Sequence, residues 1–152
     1  MADTLDDLSN WLTPLMLRLE PAQRARLARD VAQALRRSQQ QRIIAQRNPD
    51  GTAYEPRKAR QLRGKAGRIK RKAKMFTKLR TARYLKARGT ADEAAVSFTG
   101  RISRIARVHQ FGLRDRAERG APDVQYAQRE LLGLTEVERE RLRDQVLAHL
   151  TV

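Results

Sequence analysis

With 152 residues the chain is long enough for one ordinary domain with a buried core. It carries 33 Lys and Arg against 17 Asp and Glu, a net charge of +16, with 40% hydrophobic and only 5% aromatic residues. The lack of cysteine excludes a disulfide framework and a thiolate metal site, and no run reaches the length of a membrane span. The opening MADTLDDLSNW is acidic and has no signal-peptide pattern, so a soluble intracellular product is expected.

In chain order, Leu5, Leu8, Leu12, Leu15, Met16 and Leu19 form one helical stripe beside Trp11. Pro14 breaks the stripe into a short helix and a second turn. A longer helix starts at Pro21, a first-turn proline, and stops before Asn48-Pro49-Asp50-Gly51. Leu27, Val31, Ala34, Leu35 and Ser38 are expected to line its inner face, with the pattern broken at RRSQQQR and resumed at Ile43 and Ile44. About 25 residues at 1.5 Å each make it roughly 38 Å long, a principal scaffold or one side of a contact with another copy. The Pro49-Asp50-Gly51 turn follows, with proline fixing one torsion and glycine taking a positive one.

Arg57 to Arg88 then holds fifteen Lys or Arg and no Asp or Glu, so the rest of the chain is left with 18 basic against 17 acidic residues. Such a tract cannot be buried and must face water, a polyanion or an acidic partner. Its first part is expected to be a loop or mobile arm over 57–74, carrying Arg57, Lys58, Arg60, Arg63, Lys65, Arg68, Lys70, Arg71, Lys72 and Lys74 as candidate contacts. From Met75, the spacing of Met75, Phe76, Leu79, Ala82 and Leu85 predicts a basic amphipathic helix ending near Gly89. Ala94 to Phe98 reads as a strand. Arg101 to His109 reads as a helix with a strand as the alternative, ended by Gly112. Leu113 to Asp123 reads as a loop, Val124 to Arg129 as a second strand, and a last helix is capped by Thr135 with Glu138 three residues on.

Catalytic constellations are weak. His109 and His149 have no motif partner, and each is explained by packing or by a helix C-terminus that favours it. Gly64-Lys65-Ala66-Gly67 lacks the spacing and preceding strand of a phosphate loop. Neither an enzyme nor a cofactor or metal site is indicated. The basic tract has the charge for phosphate contacts through counterion release but no base-reading equipment. An arm meeting acidic protein fits it as well.

Several phrases in this order resemble the phage virion morphogenesis family, which includes tail completion proteins of contractile-tailed and Mu-like temperate phages. They are Trp11-Leu12, Leu19-Glu20-Pro21-Ala22, Arg47 to Gly51, Met75 to Arg80, Ile105 to Gly112, and Tyr126 to Leu134. His109-Gln110-Phe111-Gly112 and Arg129-Glu130-Leu131-Leu132-Gly133 are the most specific. Where the family commonly has Tyr-Pro-Ala-Arg, this chain has Tyr126-Ala127-Gln128-Arg129, without the stiffening proline.

The resemblance implies a non-enzymatic structural protein acting at the end of the tail or the head-tail junction, in the host cytoplasm during assembly and in the virion tail or neck afterwards. It implies a ring homo-oligomer, a hexamer, that meets tail tube, sheath and neck or connector proteins, with no membrane partner. It also implies an α+β fold of long helices on a small, mainly antiparallel sheet, in agreement with the residue-level reading, as a single domain over 1–152 with the basic arm inside it. Val108, His109, Gln110, Phe111, Gly112, Tyr126, Arg129, Leu131 and Leu132 are the expected fold-defining or subunit-interface anchors, with His109 and Arg129 as hydrogen-bond donors. The basic tract would face translocating DNA or an acidic neighbour. The other reading is a free-standing, non-sequence-specific nucleic-acid-binding protein that uses 57–88.

Overall fold

A computed structural model describes residues 10, 13, 14, 16–58 and 73–151. Its elements are α1 (Pro21–Ile44), β1 (Leu85–Gly89), β2 (Ala94–Phe98), α2 (Ile102–Phe111), β3 (Arg114–Arg116), β4 (Asp123–Gln125) and α3 (Glu136–Thr151). β1 pairs with β2 and β3 with β4, giving two small antiparallel sheets among helices, an α+β architecture. Among the described residues no helix is long and apolar enough to cross a membrane. The leading stripe from Leu5 to Leu15 and the arm residues 59–72 lie outside the described residues.

The chain divides into two compact units. The first comprises residues 1–37, 86–97 and 134–152. Here Gly89, at the end of β1, lies so close to α1 that a Cβ would overlap the backbone of Ala28 and Arg29. Thr90 turns the hairpin by accepting the Asp92 and Glu93 amides on its hydroxyl, and Arg24 reaches Asp92 at 3.7 Å. α3 begins with the expected reciprocal cap: the Thr135 amide donates to the Glu138 carboxylate at 2.7 Å, and the Glu138 amide donates to the Thr135 hydroxyl at 3.1 Å. At the other end of α3, the Arg18 guanidinium donates to the His149 carbonyl at 2.8 Å, a cation placed on the negative end of the helix.

The second unit comprises residues 38–85 and 98–133, and holds a core of Ile43, Tyr54, Leu79, Ala106 and Leu131, flanked by Met75, Phe76, Phe98 and Ile102. α1 ends at Ile44 rather than at Asn48 because Gln46 takes a left-handed conformation, φ 57°. The Gln46 side chain holds that bend, donating to the Ile43 and Met75 carbonyls at 2.6 and 3.0 Å and accepting the Met75 amide at 2.7 Å. The expected turn follows: Gly51 has φ 88°, the Gly51 amide donates to the Asn48 carbonyl, and Asp50 accepts the Thr52 amide at 2.8 Å.

Four sequence expectations need correction. Met75 to Arg80 forms turns, and Leu85 to Gly89 is a strand, so no amphipathic helix runs through this stretch. Phe76 at φ 64° is incompatible with a helix interior, and pairing with β2 claims the residues beyond. The Leu113–Asp123 loop carries β3 and the first residue of β4, in the register Arg114 to Gln125 and Arg116 to Asp123. The strand expected over 124–129 spans only Asp123–Gln125. On α1 the covered register is Ala32, Gln39 and Ile43, while Ala34 is exposed. The stretch expected over Arg101 to His109 resolves as the helix α2, Ile102–Phe111, and Gly112 ends it at φ 60°.

Candidate assembly site at the 129–133 segment

Within the second unit, the His-Gln-Phe-Gly phrase and the Arg-Glu-Leu-Leu-Gly phrase meet. Gly112 allows it twice over: its left-handed backbone suits glycine, and a Cβ there would lie 3.0 Å from the Gln128 nitrogen. The Leu113 amide returns to the Val108 carbonyl at 2.8 Å, and the Arg129 amide donates to the His109 carbonyl at 2.7 Å.

From there the segment belongs to no helix or strand, yet its backbone is fully engaged on the donor side. The Glu130 amide donates to the Asn48 side-chain oxygen at 2.9 Å, the Leu131 and Leu132 amides both donate to Gln110 Oε1 at 2.9 Å, and the Gly133 amide donates to Gln39 Oε1 at 3.0 Å. The carbonyls are met in turn. Gln110 Nε2 donates to Leu132, Gln39 Nε2 and Arg42 donate to Gly133, and the Tyr54 hydroxyl donates to Glu130 at 3.2 Å. Three side-chain amides thus act as the neighbouring strand that the segment lacks, which answers the requirement that covered backbone groups be paired. Leu131 is thereby plugged into the core, fully buried. Gly133 passes Pro49 so closely that a Cβ would sit 2.5 Å from its ring.

Arg129 is 5% exposed and ties this site to the start of the basic tract. Nε donates to the Glu55 carbonyl at 2.7 Å, Nη2 to the Pro56 carbonyl at 3.1 Å, and Nη1 lies 3.2 Å from His109 Nδ1. A guanidinium only donates, so His109 accepts on Nδ1 and is neutral, with its proton on Nε2. Burial, then the charges of Arg129 and Arg57, lower the His109 pKa to about 4. Burial also lowers the pKa of Arg129, and burial is the main cause that raises Tyr54 to about 12. The His109 ring continues an edge-to-face series: Tyr54 to Phe76 at 5.8 Å, Phe76 to His109 at 4.8 Å, and His109 to Tyr126 at 5.2 Å.

The anchors expected from sequence therefore separate. Val108, His109, Gln110, Gly112, Tyr126, Arg129, Leu131 and Leu132 come together, whereas Phe111 is 61% exposed and turns away. Of the basic contacts, Arg57 is half-buried and donates to the Ala73 carbonyl at 2.9 Å, so the two ends of the tract are held side by side. Lys58 and Lys74 are exposed, and Arg60, Arg63, Lys65, Arg68, Lys70, Arg71 and Lys72 lie outside the described residues. Sequence reasoning missed Gln39, Arg42, Gln46 and Asn48. A signal existed at Gln39, a polar residue four before Ile43 and so in register with a buried position.

Side-chain amides and a buried arginine thus fix an irregular segment. Among the described residues no cluster of His, Asp and Glu could hold a metal ion. The chain is 44% identical over 140 residues, 91% of its own length and 92% of the relative's, to tail completion protein S of Escherichia phage P2. No solved structure matches it. The phage virion morphogenesis family model matches residues 3–151, and the chain belongs to that family.

Proposed function

We infer that the chain is a structural, non-catalytic virion protein that completes the phage tail and helps form the head-tail junction. The observation that carries this reading is the 44% identity to a tail completion protein across nine-tenths of both chains. The protein acts as a ring homo-oligomer, a hexamer, seated on the tail tube beside the sheath and facing neck or connector proteins. It assembles in the host cytoplasm and remains in the virion. Exposed apolar side chains support association: Met16, Leu17 and Leu19 before α1, and Val137, Val146 and Leu147 on α3, stand in water in the single chain.

The basic tract, clasped at its ends by Arg57, presents its charge to DNA in the ring lumen or to an acidic neighbour. A mobility-shift series against ionic strength separates these, because phosphate contacts weaken steeply with salt. No shift at low salt removes the DNA version. The tail-completion role is tested by inactivating the gene in the phage or prophage that carries it and viewing lysates by electron microscopy. Unjoined heads and tails are expected, and intact infectious particles would refute the role.

A further inference from the structure

Phe111 belongs to the most specific phrase of the sequence, yet it is 61% exposed and no packing among the described residues accounts for it. On α2 it shares an outward line with Arg104 and Arg107, which precede it by seven and four residues, with Arg101 at the edge of the same line; all four are exposed. A phenylalanine set among guanidinium groups has the make-up of an interface centre rather than of a solvated face. Asp115 engages Arg104, whereas Arg101 and Arg107 have no acidic partner among the described residues.

α3 carries the opposite pattern. Val137, Glu140, Asp144 and Leu147 follow at spacings of three, four and three, and all are exposed, with Val137 at 55% and Leu147 at 51%. Glu136 extends the line at its start. On a chain of net charge +16, a helical face of acidic groups bracketed by apolar ones is not a surface for nucleic acid. It fits a basic surface with an aromatic projection. Rise along a helix puts Glu140 and Asp144 about 6 Å apart and Arg104 and Arg107 about 4.5 Å apart, so the two charge spacings are commensurate.

We propose that the α3 face of one copy docks on the α2 face of the next, Glu140 and Asp144 against the arginines and Phe111 against the α3 valine and leucine. Each copy carries both halves, so the contact is head-to-tail and repeats around a closed ring or along an open filament. Complementary charge argues for a second copy as the occupant: among the described residues, the α2 face supplies the opposite sign and the aromatic projection that the acidic, apolar-edged α3 face fits. The proposal rests on the ring reading above and names its contact.

Charge reversal tests it by sedimentation velocity at low ionic strength over a concentration series. Two variants are needed, E140R/D144R and R101E/R107E, the latter leaving the Arg104–Asp115 pair intact. The wild type is expected to self-associate, and each variant to do so about a hundredfold more weakly, since favourable charge pairs become repulsive. Mixing the two variants should restore association, because reversed α3 then meets reversed α2 and the unchanged faces meet each other. A monomeric wild type overturns the proposal, while the tail-completion role, read from particle assembly, stands or falls separately. Variants that associate like the wild type overturn this contact and leave the ring to another. Failure of the mixture, with recovery only when all four reversals share one chain, would show the faces meeting within a copy and also overturns it.

Discussion

Replacing Gln110 with leucine removes three hydrogen bonds and nothing of comparable size in packing. The Leu131 and Leu132 amides lose their shared acceptor and the Leu132 carbonyl loses its donor, while the volume stays nearly constant. At about 1 kcal/mol net for each bond, with more where a group is left without water, the expected loss is about 3 kcal/mol. For a chain of this size that lowers the melting temperature by about 6–12 °C. Gln110→Glu keeps the acceptor oxygen but replaces the donor with a second acceptor, and should fall between wild type and leucine. Phe111→Ser, the next residue, should stay within about 0.5 kcal/mol because its side chain faces water. Urea unfolding of the three variants measures the order. A leucine variant within about 0.5 kcal/mol of wild type would refute the idea that side-chain amides hold the 129–133 segment.

Three further outcomes follow from the same geometry. Glycine-to-alanine changes should destabilise in the order Gly89, Gly112, Gly51: the first meets the α1 backbone, the second combines a positive φ with a 3.0 Å contact, and the third has only its positive φ and open space around it. At Gly51 the cost should be about 1 kcal/mol, read by urea midpoint. His109 has a folded pKa near 4, below its ordinary 6.5, so its contribution is complete above pH 6.5 and is lost as pH falls toward 4. Because the ring is only half-buried, about 1–2 kcal/mol is expected from it over that window. Its proton NMR titration should show a midpoint well under 6, and a midpoint near 6.5 would contradict the neutral, arginine-facing ring. Thr135→Ala should cost about 1 kcal/mol through loss of the α3 cap, seen as fraying of the first turn by amide exchange.

Where local chemistry decides a conformation, the sequence was readable. The Asn48 to Gly51 turn, the Thr135 and Glu138 cap and the stop at Gly112 each depend on residues a few positions apart, and each stands where the residue types put it. Met75 to Gly89 was misread for the opposite reason. Its apolar spacing suits a helix, but the left-handed Phe76 and the pairing with Ala94–Phe98 depend on partners farther along the chain. β3 escaped notice and β4 was placed too far along, at Val124 to Arg129, because three-residue strands reading Arg-Asp-Arg and Asp-Val-Gln show no alternation of apolar and polar residues. The site was half legible: the phrases that meet were marked, Gln110 among them, but Gln39 and Asn48, which also hold the segment, look like surface residues in a helix and a turn. Their roles follow from positions up to 94 residues away.

That distance sets an order of events for the growing chain. A sheet segment can zip onto a neighbour one residue at a time, but residues 129–133 find their partners at positions 39, 48 and 110 only when all three already stand in place. The partners at 39, 48 and 110 all precede the segment in the chain, so during synthesis these contacts cannot form until residues 129–133 have emerged. Amide exchange at Glu130, Leu131, Leu132 and Gly133 should accordingly rise and fall together, as a latch rather than a ladder.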